Sequence, residues 1–95
     1  MKPFDWSVDK NEILKIERDV SFEDVVLAVQ EGRLLKTVNH PNQEKHPGQK
    51  IMIIEIDNYA YVIPYVEDEQ KFFLKTIYPS RAATKKYLIK NNEIS

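Results

Sequence analysis

Apolar positions along this chain follow two periods, one after the other. Between residues 8 and 31 they recur at intervals of three and four, as on one face of a helix. Val8, Ile13, Leu14 and Ile16 form a rough stripe, and Phe22, Val25, Val26 and Val29 a cleaner one. Ser7 and Asp9 are both suited to cap the first helix, which runs to about Arg18. Ser21 followed by Phe22-Glu23-Asp24 is a capping-box pattern for the second, and Gly32 supplies its stop. Ahead of both, Phe4 and Trp6 alternate around Asp5 as a short strand would.

From Arg33 onward the pattern turns to strands. RLLKTV reads as one, HPNQEKHPGQ as a polar loop rich in breakers, and KIMIIEID as a strongly β-branched strand. Asp57-Asn58 is a tight-turn signal leading into YAYVIPYV. Pro64 within that strand cannot donate to a ladder, which predicts an edge position or a bulge. EDEQK is a charged turn and FFLKTIY a further strand. Pro79-Ser80 ends it, and Ser80 caps a helix from Arg81 to about Lys90. The expected order is β-α-α-β-β-β-β-α. Short links between successive strands imply an antiparallel meander of about four strands, with the two N-terminal helices on one face and a C-terminal helix. The fold class is α+β, one domain over residues 1–95.

Charge changes the picture more than composition does. The formal net charge is only -1. Yet residues 1–32 carry eight acids against four cations, and residues 71–95 six cations against one acid. Such a split suggests a basic face able to meet an anion, or two ends that attract one another inside the fold. There is no cysteine, which excludes disulfides and thiolate chemistry. The opening MKPFDWSVDK lacks the apolar run of a signal peptide, and no stretch approaches the roughly 18 residues of a membrane span. The expectation is a cytoplasmic protein that does not engage membranes.

Arg81 is the most informative candidate residue. A cation in the first turn of a helix opposes the helix dipole, while the free amides there attract anions. Arg81 and Lys85 are four apart and share a face. Lys86 and Lys90 extend the strip toward the favourable end of the helix. The simpler reading is an ion pair with the acidic front, or a solvated side chain. His40 and His46 flank Glu44 in the long loop, but that spacing without cysteine falls short of a metal ligand set, and no metal or other cofactor is expected. An unperturbed histidine titrates near neutrality, so His40 is a candidate general acid or base. Glu67, Asp68 and Glu69 crowd a turn. Tyr59, Tyr61 and Tyr65 alternate onto one face, where they either stack bases or pack in the core. Two glycines in the whole chain leave no phosphate-cradling loop.

Three segments, in order, resemble the BrnT family of bacterial toxins within the RelE/ParE-like group. FDWSVDK is similar to that family's F-[ED]-W-D-x-x-K, VSFEDV to its V-S-F-E-[ED]-A, and PSRAATKKYL to its S-A-R-R-A-T with a basic tail. The resemblance implies a RelE-like sheet and a toxin of a type II toxin–antitoxin pair. It further implies a metal-independent ribonuclease that inhibits translation, acting on RNA free or on the ribosome. The implied partner is an antitoxin, usually of ribbon-helix-helix type, through which alone the toxin meets DNA. Arg81 falls on the first arginine of the tail motif and would stabilise phosphoryl charge. The base would be Glu67 or His40, while Lys10, Lys50, Lys85 and Lys86 would hold the RNA backbone. Glu17-Arg18-Asp19 stand where the family often has K-H-G, and Ala82 replaces its second arginine. Those departures favour an alternative, a catalytically inactive toxin-like module that acts in complex formation and operon autoregulation.

Overall fold

The computed structural model describes residues 2–89. The chain runs β1 (Phe4–Trp6), α1 (Val8–Arg18), α2 (Phe22–Gln30), β2 (Leu34–Asn39), β3 (Gln49–Ile56), β4 (Tyr59–Glu67), β5 (Phe72–Leu74), β6 (Tyr78–Pro79) and α3 (Arg81–Thr84). A wider π-helical turn, Lys85–Ile89, continues α3. The expected helix end at Lys90 lies outside the described residues. No helix among the described residues is long and apolar enough to cross a membrane.

Local chemistry sets the helix ends. Ser7 caps α1 by accepting from the Lys10 amide, and Asp19 closes it in a left-handed conformation. Ser21 and Asp24 form the reciprocal capping box of α2. Gly32 then adopts φ +77°, and the Arg33 amide returns to the Ala28 carbonyl, ending the helix as glycine allows.

The sheet is α+β in setting, but it is not the plain four-stranded meander expected. It has six strands in the order β1-β5-β4-β3-β2, with β6 also pairing β4. β2 through β5 are antiparallel neighbours, whereas β1 joins β5 in parallel, with Asp5 opposite Phe73. α1 and α2 thus carry the chain from β1 at one edge to β2 at the other.

The single strand expected over FFLKTIY is two. β5 pairs with residues 65–67 of β4, and β6 with residues 61–62. The break falls opposite Pro64, and this corrects the edge-or-bulge expectation for that residue. Pro64 sits in a central strand, where its carbonyl accepts from the Lys75 amide at 2.8 Å. It has no N–H to return on that side, so the neighbouring ladder is interrupted there.

Each face of the sheet has its own core. Leu14, Phe22, Val25 and Ala28 of the two front helices pack on Met52, Ile54, Ile63, Tyr65, Leu74 and Ile77. On the opposite face Ala83 of α3, with Tyr87 and Leu88, covers Ile51, Ile53, Ala60 and Val62. β3 is buried on both sides, which explains its unbroken apolar run. Thr84 pins α3 to the sheet, since its hydroxyl accepts from the buried Ala60 amide and donates to the Ser80 carbonyl, each at 2.8 Å.

A buried asparagine joins the front helices. Asn11 accepts from the Phe22 amide at 2.8 Å and donates to Glu23 at 2.8 Å. Replacing it with alanine orphans a buried amide, which costs about 1–3 kcal/mol. Urea unfolding of Asn11→Ala is expected to show that loss. Asn11→Asp, which keeps the acceptor but sets a carboxylate against Glu23, tests the two bonds separately.

Candidate functional site

Alternation along the strands sorts the charges between the two sides. The helical side is acidic, with seven acids against three cations over residues 8–31. The other side is covered by α3 only in part. Transverse rows of residues cross it, one of which runs His40, Gln49, Val66, Phe73, Asp5 through successive registers. The next row contains Val38, Ile51, Pro64 and Lys75. Strand alternation thus sets Lys75 on this side and Lys50 on the helical one, a division the charge count alone could not give.

An open cleft of about 670 Å³ lies on this side, lined by His40, Lys45, His46, Pro47, Gln49, Pro64, Val66, Lys75, Thr76 and Tyr78. No carboxylate lines it. The loop that forms one wall is braced from within. The Gln43 amide donates to the carbonyls of His40 and Gln49, and its oxygen accepts from the Gly48 amide. Asn42 accepts from the Lys45 amide. This bracing sets the His40 and His46 rings 4.2 Å apart, both half-buried. The Asn42 amide donates to His40 Nδ1 at 3.0 Å, so the neutral ring carries its proton on Nε2. His40 Nε2 is thereby a donor, and the His46 ring makes no hydrogen bond among the described residues.

The residues named from sequence divide between the two sides. Glu67 alternates onto the helical side with Tyr65 and Lys50, where Lys2 and Lys50 hold its carboxylate at 2.7 and 3.2 Å. Lys10 also lies on the helical side, on α1. Arg81, Lys85 and Lys86 lie on the cleft side and are exposed, but outside the cleft lining. Arg81 has no hydrogen bond or ion pair among the described residues. At the α3 N-terminus the Ser80 hydroxyl accepts from the Ala83 amide and its carbonyl from the Thr84 amide. Of the tyrosine row, Tyr65 is core and Tyr59 meets Tyr61 edge-on, which is packing. His46 was visible in sequence only as the partner of His40 in the long loop, and Lys45, Lys75 and Tyr78 had no distinguishing local pattern; the fold brings the β2–β3 loop against the chain between β5 and β6.

Glu67 titrates below its ordinary value, chiefly through hydrogen bonds from Lys2 and then Lys50. A depressed carboxylate contributes stability above its unfolded value of 4.5 and loses it as pH falls through the folded value. The stability gap between wild type and Glu67→Gln, measured by urea unfolding, is therefore expected to shrink from pH 7 to pH 3. The same anchoring weakens Glu67 as a base, since a stabilised carboxylate binds protons less readily.

A second cleft, of about 430 Å³, lies where Arg18, Asp19, Asp24, Arg33, Asp57 and Tyr61 meet. Its charged groups are largely engaged in structure. Arg18 donates to the Ile77 carbonyl, Arg33 to the Glu55 carbonyl and Glu31, and Asp24 caps α2. Asp57 and Asn58, at φ +53° and +64°, form the tight β3–β4 turn beside it. Among the described residues there is no cluster of three histidines or carboxylates that could hold a metal ion.

No family model, curated protein or solved structure matches this chain.

Proposed function

We propose that the chain is a toxin of a type II toxin–antitoxin pair, acting as a metal-independent ribonuclease that inhibits translation. The observation that carries this reading is the acid-free cleft lined by the His40–His46 pair together with Lys45 and Lys75. Its chemistry suits phosphodiester cleavage that uses RNA's own 2′-hydroxyl. His46 takes the hydroxyl proton, and the 2′-oxygen attacks phosphorus. The bond to the 5′-oxygen breaks, and that oxygen takes a proton from a lysine ammonium in the cleft. The products are a 2′,3′-cyclic phosphate and a 5′-hydroxyl. His40 Nε2–H and the lysines stabilise the charge that builds on the phosphoryl oxygens. Arg81, Lys85 and Lys86, on the same side, extend the surface that holds the RNA backbone.

The test is incubation of purified protein with single-stranded RNA in excess chelator. Cleavage leaving cyclic phosphate ends supports the reading. RNA left intact under those conditions, with no growth arrest on induction in bacteria, sinks it.

A second reading is a toxin-like module without catalysis, acting in complex formation with a ribbon-helix-helix antitoxin and in operon control. What favours it is the separation of Glu67 from the cleft and the exposure of Arg81 outside it. Tight binding of an adjacent small protein by a chain that neither cleaves RNA nor arrests growth is the outcome that selects it.

A further inference from the structure

The cleft holds more than charge. Tyr78 lines it and is 38% exposed. Phe73 lies in the same transverse row as His40, on the strand beside β4, with the ammonium groups of Lys71 and Lys75 5.8 and 6.0 Å from its ring centre. Three strand spacings separate His40 from Phe73, on the order of 14 Å. An open sheet face that carries aromatic rings between cations is how single strands are bound, because every base has a face to stack and every linkage a phosphate to neutralise. A duplex hides its base faces and offers phosphates alone.

We infer that the cleft selects single-stranded nucleic acid, with one base stacked on Tyr78 and the strand running across the sheet from the histidines toward Phe73. This rests on the reading of the cleft as an RNA site and adds the substrate class to it. Lys45 and Lys75 hold the phosphates beside the stacked base, and Lys71, tied to Asp5 at 3.0 Å, borders the far end.

Tyr78 makes no side-chain hydrogen bond among the described residues, so its loss leaves the sheet intact. The probe is a fluorescent single-stranded RNA oligonucleotide with 2′-O-methyl groups throughout, which cannot be cleaved by attack of its 2′-oxygens. Its binding is followed by anisotropy over a range of salt. Tyr78→Ala is expected to weaken binding about 10-fold to 100-fold, within the range of a lost base stack. Tyr78→Phe retains binding, and the salt dependence of Tyr78→Ala matches wild type. Lys75→Ala instead flattens the salt dependence by about 0.7 in the logarithmic slope, one phosphate contact on a single strand.

Equal or tighter binding of the same sequence as a duplex overturns the inference. So does unchanged binding by Tyr78→Ala, or equal competition by polyglutamate, which would mean that charge alone or a protein partner fits the cleft. Tyr78-dependent binding of the oligonucleotide by a protein that leaves unmodified RNA intact upholds the inference while the cleavage reading fails.

Discussion

In the proposed ribonuclease reaction, His46→Ala is expected to lower the single-turnover rate by about 10²–10⁴-fold, the range for loss of a positioned general base. The argument starts in the loop. Gln43 and Asn42 tie residues 40–49 together, so the two imidazoles are held by backbone and amide bonds rather than by chance of side-chain rotation. His40 Nδ1 already accepts a hydrogen bond from the Asn42 amide, so the proposed reaction assigns the 2′-hydroxyl proton to His46. His40→Ala is expected to cost less, about 10-fold to 10²-fold, because it removes a donor to the phosphoryl oxygens while the lysines remain. The two variants differ in pH profile as well. Loss of the base removes the dependence of rate on its deprotonation, whereas loss of the donor keeps it. Quenched-flow or gel assays from pH 5 to 8 read both. Equal rates for wild type and His46→Ala would show that His46 takes no part in proton transfer. Gln43→Ala, which touches no substrate, offers a check on the bracing: it should lower the rate by loosening both rings.

The second large effect concerns stability. Phe22→Ala is expected to cost about 3–5 kcal/mol, against a native stability of roughly 5–15 kcal/mol for a domain of this kind. Phe22 is fully buried at the start of α2 and stacks on Trp6 at 5.5 Å, so it joins α2 to β1 at the sheet edge. Its removal leaves a cavity under both front helices and ends the aromatic contact, which itself adds about 0.5–1.5 kcal/mol. Asn11 still holds the residue 22 amide, so the capped start of α2 persists and the loss reads as packing. Urea unfolding followed by tryptophan fluorescence measures it, with Trp6 as the reporter. Phe22→Leu should lose distinctly less, because most of the volume is kept. A loss below about 1 kcal/mol for Phe22→Ala would mean that the helices do not pack as described.

Local sequence decided the elements whose cause is local. The capping box at Ser21 and Asp24, the glycine stop at Gly32, the Asp57-Asn58 turn and the Ser80 cap are each set by a few adjacent side chains acting on nearby amides. Periodicity likewise marked the faces of α2 and the buried run of β3. What sequence could not decide was pairing. β1 lies parallel to β5 because two helices return the chain across the sheet, a relation spanning 66 residues between Asp5 and Lys71. β5 and β6 are separate because Pro64 withholds a donor from the neighbouring strand, a consequence visible only once the neighbour is known. The candidate site follows the same division. The basic tail was legible as charge, and His40 as a titratable loop residue. His46, Lys75 and Tyr78 become a site only through register, which aligns residues from four separate segments on one face and sends Glu67, one position after Val66, to the other. A side-chain period of two makes that assignment all or nothing, and the register that fixes it belongs to the tertiary structure.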